Sequence, residues 1–369
     1  DQFDKITEEV SSFKKIMLTY GMGSIKRNGT YDKVINALEG KEIIEFGGIG
    51  VNAEYETLMK AVELGKHNNI DFILAVGGGS VIDGSKFIAA AINFKGNEPW
   101  DMLSKYTPFD SATSLGTVLT LPATGSEMNG NSVVTRKVTK EKLAFGSTIL
   151  MPIFSILDPT TMFSLPDIQI SNGIVDAYIH ILEQYLTYPV QAAVQDAYST
   201  SLLKVLIEVG PKALANRTDY DANANLMWAA TNALNETLSA GVPTDWSTHM
   251  IGHEITALYG VDHAQTLAII LPGIMSIMQE DKKEKLVHYA ENVWGLVDME
   301  DSTKIKIAIK KTETFFNSLN IKTKLSDYNI NPDAIDIICK KLEDRKYVKL
   351  GENKNITPEI VKKVLNTRI

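Results

Sequence analysis

The sequence has one cysteine, Cys339, in 369 residues. A single thiol excludes an intrachain disulfide framework and a thiolate metal cluster. It fits a reducing compartment, so the expected location is the cytoplasm. No apolar run approaches the ~20 residues of a membrane span. The longest, such as LAIILPGIM, read as core segments, so no membrane partner is expected. Basic charge is not in excess either. A net charge of −8 and a pI of about 5.4 remove the electrostatic case for a nucleic-acid partner. A secretory signal, an internal repeat and low-complexity tracts are also missing. The chain opens on Asp1 rather than Met, so a short N-terminal piece is expected to precede it. What is present is an ordinary globular composition, 44% hydrophobic and 22% charged, in a chain long enough for two domains with sizeable cores.

Apolar runs and helical periods alternate through the first half. KKIMLTY (14–20), KEIIEFGGIG, IDFILAVGGGS and LGTVLTLPATGSE read as strands leading into loops. TYDKVINALEG, AEYETLMKAVELGKHNN and VIDGSKFIAAAINF read as the helices between them. Strand–helix alternation predicts a parallel sheet with helices on both faces. ILMPIFSILDP reads as one more strand. From Pro166 onward the period is helical, over 167–187, 190–215, 220–240, 245–259, 264–279, 282–296, 301–319, 331–344 and 357–367. The expected fold is therefore an α/β N-terminal domain, residues 1–162, followed by an all-helical C-terminal domain, residues 163–369. A site shared by both would lie in the cleft between them.

Three of six histidines fall in DWSTHMIGHEITALYGVDHAQTLAIILP, as His249, His253 and His263. Upstream, Asp176 and His180 are spaced i,i+4, which puts both on one helical face. His249 and His253 repeat that spacing. One carboxylate and up to three imidazoles can meet between two helices, a set suited to a divalent transition metal such as zinc or iron(II). The bland alternative for any one of them is a hydrogen-bonded or surface histidine. HMIGHE is not the zincin motif, because Met250 stands where H-E-x-x-H requires its glutamate.

Three glycine loops lie in the α/β half. GGGSVIDGSK (77–86) follows a strand and opens a helix. Gly77, Gly78 and Gly79 let backbone approach a ligand, Ser80 reads as the N-cap, and the helix N-terminus favours a phosphate or pyrophosphate. It is neither G-x-G-x-x-G nor a P-loop, since Ser85-Lys86 stands where Lys-Ser/Thr is required. A tight ligand-free turn is the alternative. LPATGSEMN (121–129) fits capping as well as ligand contact. GMGSIKRNG (21–29) offers Gly21 and Ser24 to a phosphate, with Lys26 and Arg27 adding charge. Taken by itself, this stretch is better read as an ordinary strand–helix connection with solvated basic residues.

Taken together, these residues resemble the iron-containing (group III) alcohol dehydrogenase family over nearly the whole chain. GGGSVID is similar to that family's pyrophosphate loop and Asp176-x-x-x-His180 to its first ligand pair. His249 and His263, fourteen residues apart, resemble the remainder of its metal site. LPATGSE and the WxTHMxGHExTA run resemble the NADPH-dependent butanol dehydrogenase and aldehyde reductase branch. Residues 1–162 are then expected to bind the dinucleotide and 163–369 the metal. The resemblance implies Asp176, His180, His249 and His263 as ligands, where spacing alone favours His249 with His253. It leaves His253 beside substrate and nicotinamide. It also implies cofactor contacts from Asp83, Thr120, Thr124, Ser126 and Lys142. The family begins with an extra strand before KKIMLTY, of which this sequence shows little.

The activity so implied is reversible reduction of a small uncharged aldehyde to a primary alcohol, with NADP(H), one divalent metal (iron or zinc) and a homodimeric assembly. No cluster of arginine or lysine accompanies the histidines, which is why an uncharged substrate is expected. The rival on the same scaffold is a metal-dependent lyase of the dehydroquinate-synthase-like type, which would want a glutamate with two histidines and basic residues for a substrate phosphate. A non-catalytic nucleotide-binding protein is a second rival, disfavoured by the complete ligand set. For cofactor choice, a Rossmann reading looks for an acid after the second strand, would take Glu45 in IIEFGG for the ribose ligand and would predict NADH, but Glu45 stands in mid-strand and reads instead as a charge facing a helix or solvent. In the resembled family the loop after the first strand reads the ribose. Here that loop, Tyr20-Gly21-Met22-Gly23-Ser24, carries no acid, which predicts NADPH.

Overall fold

The computed structural model describes residues 2–369. The chain divides into two compact units, Asp1–Leu165 and Pro166–Ile369. In the first, strands β1 (Lys15–Tyr20), β2 (Glu42–Phe46), β3 (Phe72–Gly78), β4 (Ser114–Leu121) and β7 (Ser155–Leu157) form a parallel sheet in the order β2-β1-β3-β4-β7. The central strands are apolar almost throughout because both faces are covered. β3, FILAVGG, is buried from Phe72 to Gly77. The edge strand β2 instead exposes Glu42 and Glu45, charges that discourage edge-to-edge pairing. Helices α1 (Lys5–Glu9), α2 (Ser24–Arg27), α3 (Thr30–Ala37), α4 (Tyr55–Asn68), α5 (Gly79–Asn93) and α6 (Asp101–Ser104) complete the unit. Ile6, Val34 and Leu38 pack with Ile16, Leu18, Leu74 and Val76 in one core.

Two departures from the sequence reading occur here. Strands β5 (Asn131–Arg136) and β6 (Glu141–Gly146) form an antiparallel hairpin that the reading passed over. Its connection, KVTK, lacks the Asn-Gly or Asp-Gly signal, and Lys140 adopts the left-handed conformation at φ 51°. Conversely, ILMPIFSILDP yields only the three paired residues of β7.

The second unit contains nine α-helices. They are α7 (Asp167–Tyr185), α8 (Ala193–Ala215), α9 (Tyr220–Ala233), α10 (Ser247–Tyr259), α11 (His263–Ile277), α12 (Lys283–Trp294), α13 (Asp301–Ser318), α14 (Ala334–Asp344) and α15 (Pro358–Asn366). α9 stops at Ala233 rather than near 240, and the chain runs irregularly to Trp246. Glu236, Gly241 and Trp246 all have positive φ there, which a continuing helix forbids. Ile251 and Ile255 of α10 enter a core shared with α11, α14 and α15. His249 and His253 lie two positions back along the same helix, about 200° around it. The apolar stripe therefore turns the histidines away from that core. Among the described residues no helix is long and apolar enough to cross a membrane.

Candidate active site

In the second unit, α7 supplies Asp176 and His180 from adjacent turns, α10 supplies His249, and α11 begins at His263. Their imidazoles converge on one oxygen. From Asp176 Oδ1, the Nε2 atoms of His180, His249 and His263 stand at 3.7, 3.9 and 3.7 Å. These gaps exceed hydrogen-bond length. They approach the ~3.4 Å edge of a tetrahedron with ~2.1 Å metal–ligand bonds. Asp176 Oδ1 is buried and accepts no hydrogen bond. A carboxylate oxygen left so costs about 1–3 kcal/mol or more, which a divalent cation offsets. The ligating atoms of Asp176, His180 and His249 all lie within 4.8 Å of one another, a metal site by donor type and spacing. His263 stands at its margin, its side chain 22% exposed.

His253 is buried one turn beyond His249, the two rings perpendicular with centroids 6.2 Å apart. Its ring centroid lies 5.2 Å from that of His263. Trp246, at the start of α10, packs its ring 5.3 Å from that of His249.

Glu183 belongs to the site and was missed by the sequence reading. It lies seven residues after Asp176 and three after His180, on the same face of α7, and that i, i+4, i+7 series was the available signal. Its Oε2 hydrogen-bonds His249 Nδ1, while Oε1 accepts from the Thr248 N–H at 2.6 Å. One carboxyl group thus orients a ligand ring and satisfies a donor in the first turn of α10. Burial, followed by the nearby Asp245 charge, pushes the Glu183 carboxyl well above its ordinary range. The start of α10 is held further by Asp245, which accepts from the Ser247 N–H at 2.9 Å and pairs with buried Lys282 at 2.9 Å. Lys282 in turn reaches Glu352 at 2.8 Å and the Leu186 carbonyl at 2.6 Å. Glu183→Gln should weaken metal affinity about 10- to 100-fold, the usual cost of losing such a partner. Chelator competition measures this, and unchanged competition would remove Glu183 from the site.

In the first unit, the GGG run has packing reasons. A Cβ at Gly77 would meet Val81 at 2.5 Å, at Gly78 Leu121 at 2.9 Å, and at Gly79 Thr124 at 2.6 Å. Ser80 is not the N-cap, which corrects the sequence reading. α5 begins at Gly79, its cap position is Gly78, and no side chain caps it. Ser80 Oγ instead accepts from the Asn52 N–H at 3.1 Å. The uncapped first-turn N–H groups suit an anion. Asn52 Oδ1 accepts from Lys142 Nζ at 3.1 Å, which brings the loop after β2 to the same place. The sequence reading did not single out Asn52. Its positive φ of 69° was not legible.

Asp83 and Ser126 are engaged with each other. Asp83 Oδ1 accepts from Ser126 Oγ at 2.6 Å and Oδ2 from the Val133 N–H at 2.9 Å. Fully buried Lys86 donates to Ser126 Oγ and to the Asn129 and Asn131 carbonyls at 2.9, 2.7 and 2.8 Å. These bonds fasten the second glycine loop and the hairpin to α5. Thr120 is buried at the end of β4. Gly21 lies beside the opening of α5, its missing Cβ facing Val81 at 3.7 Å, and Ser24 begins α2.

Comparison with known proteins bears on the whole chain. The profile of the iron-containing alcohol dehydrogenases matches residues 1–159, and that of the C-terminal region of the Fe-containing alcohol dehydrogenase family matches residues 170–368. The NADPH-dependent aldehyde reductase YqhD of Escherichia coli (strain K12) is 48% identical over 97% of this chain and 93% of its own. The NADH-dependent butanol dehydrogenase A of Clostridium acetobutylicum is 39% identical over 92% of this chain and 88% of its own. The crystal structure of E. coli K-12 YqhD superposes with a TM-score of 0.98 at 46% identity, covering 100% of this chain and 95% of that one. With a carboxylate and imidazoles gathered as a divalent transition metal requires, this chain belongs to the iron-containing alcohol dehydrogenase family and is an oxidoreductase of the alcohol dehydrogenase and aldehyde reductase type.

Proposed function

We propose that the chain is an NADPH-dependent reductase of small uncharged aldehydes, working reversibly on primary alcohols, with Asp176, His180, His249 and His263 holding one divalent ion, iron or zinc. The observation that carries this is the convergence of three imidazole nitrogens on one buried carboxylate oxygen in a chain of this family. When bound, the metal supplies Lewis-acid polarisation of a carbonyl oxygen, and the nicotinamide supplies hydride. The chain's residues position and protonate. Glu183 holds the His249 ring so that Nε2 faces Asp176. His253, buried beside His249 and His263, delivers the proton that the product hydroxyl requires. The open N-terminus of α5 receives the pyrophosphate, with Ser80, Thr120, Thr124 and Lys142 around it. Asp83 and Ser126 act on the cofactor through the loop they fasten. A cytoplasmic homodimer completes the reading, on the lone buried Cys339 and on the family resemblance. Butyraldehyde should oxidise NADPH at a rate that a strong chelator removes and added metal restores. Chelator-insensitive turnover would refute it.

The cofactor choice rests on the strand order. The uncapped helix N-terminus follows β3, and β1 is its neighbour, whereas β2 lies one strand further out. Strands are spaced ~4.8 Å apart, so the loop after β1 leaves the sheet nearer that N-terminus, and the family resemblance assigns it the adenosine ribose, while the loop after β2 comes back to Ser80 through Asn52. The loop after β1 carries no acid. Relatives named for NADPH and for NADH occur side by side, so membership alone does not set the preference. Gly21 has an ordinary negative φ, and a Cβ there would meet only Ile49 O at 3.4 Å and Val81 at 3.7 Å. The Cβ that Gly21→Asp adds is therefore accommodated. The substitution should lower kcat/KM with NADPH relative to NADH by about tenfold or more, through like-charge repulsion of the 2′-phosphate. Equal or better efficiency with NADH in the unmodified protein would overturn the loop reading.

A further inference from the structure

Glu45 sits near the C-terminal end of β2, paired in register with Leu18 of β1. An acid after a second strand is the usual reader of an unphosphorylated ribose. Here its carboxylate is occupied. Oε2 accepts from Tyr20 Oη and from Lys26 Nζ, each at 2.9 Å, and Oε1 accepts from Tyr31 Oη at 2.6 Å. A carboxylate offers about four acceptor positions, so little remains for a ligand. Lys26 Nζ also lies over the Tyr20 and Tyr31 rings, 4.9 and 4.4 Å from their centroids, which fixes the ammonium above the carboxylate. The Tyr20 ring lies on bare backbone, because a Cβ at Gly47 would meet it at 2.4 Å. Two backbone bonds, Gly48 N–H to Gly21 O at 2.9 Å and Ile49 N–H to Tyr20 O at 3.2 Å, join the loops after β1 and β2. The hydrogen bonds from Tyr31 and Lys26 keep Glu45 below the ordinary carboxylate range, so its charge persists at neutral pH and is balanced by Lys26.

We propose that Tyr20, Lys26 and Tyr31 form a clamp that withdraws Glu45 from the adenosine ribose and thereby sets the preference for the 2′-phosphorylated cofactor. This rests on the NADPH reading above. Lys26 lies two residues after Ser24, in the helix that the ribose-reading loop opens. It neutralises the acid that Tyr20 of that loop hydrogen-bonds. Without Lys26, an ionised Glu45 faces the loop, favouring a ribose hydroxyl and repelling a phosphate. Without both charges, the repulsion vanishes. A scaffolding role for these residues makes a different prediction, namely equal losses for both cofactors and no recovery in the double variant.

The test is a double-mutant cycle on dissociation constants. NADPH and NADH are each titrated against the metal-loaded protein and followed by fluorescence. Lys26→Met, at a side chain 42% exposed, should fold normally. It should lower the preference for NADPH over NADH about three- to fivefold, the upper end of an exposed charge interaction. Adding Glu45→Gln to Lys26→Met should restore much of the preference, and raised salt should shrink both effects. The clamp is overturned if Lys26→Met leaves the ratio within twofold, if both cofactors weaken equally, or if the double variant shows no recovery. The wild-type ratio is a separate readout. A wild type favouring NADH would sink the cofactor reading, while the shifts among variants would still judge the clamp.

Discussion

His263→Ala is expected to lose the metal and aldehyde reduction together while the fold survives. The side chain is 22% exposed and heads α11, so its removal opens no deep cavity. Its Nε2 is one of the three nitrogens around Asp176 Oδ1, and without it the site offers one carboxylate and two imidazoles. Circular dichroism should be unchanged, with metal content near zero after dialysis. Full metal retention would show that the fourth donor is another group and that His263 merely lines the site.

His253→Ala should behave in the opposite way, keeping the metal and losing turnover. A positioned proton donor contributes about 10²–10⁴-fold, so kcat should fall by that order. The His253 ring is perpendicular to that of His249, and its centroid lies 5.2 Å from that of His263. If the variant loses metal instead, the i,i+4 pair His249 and His253 holds the ion, as helical spacing alone suggests. The two alanine variants therefore separate two ligand sets that share three residues.

Much of this was legible because it is local. β1, β3 and β4 are near-continuous apolar runs ending in loops, and their burial on both faces follows from that pattern. Asp176 and His180 were placed on one face by spacing, and the structure brings His249 and His263 to them. What the sequence concealed depends on distant partners. Ser80 reads as a cap because serine favours that position, yet α5 starts one residue earlier and Asn52 claims the hydroxyl. The glycines at 77–79 read as room for a ligand, whereas Val81, Leu121 and Thr124 fill the space that their missing side chains leave. Glu183 reads as one more polar residue on a helix until α10 lies against it. Glu45 reads as a ribose ligand or a solvent-facing charge, and only the fold shows three donors upon it. The hairpin of β5 and β6 lacked a turn signal, although it anchors Asp83 and carries Lys142.

The most direct test of the account is a metal titration. Protein purified without oxygen is stripped by a chelator and divalent iron or zinc is returned stepwise, with bound metal and NADPH-dependent butyraldehyde reduction measured on the same samples. Activity should be absent at zero metal, rise in proportion to bound metal and saturate at about one ion per chain, the occupancy a single four-donor site permits. Full activity in metal-free protein, or saturation only at several ions per chain, would contradict it.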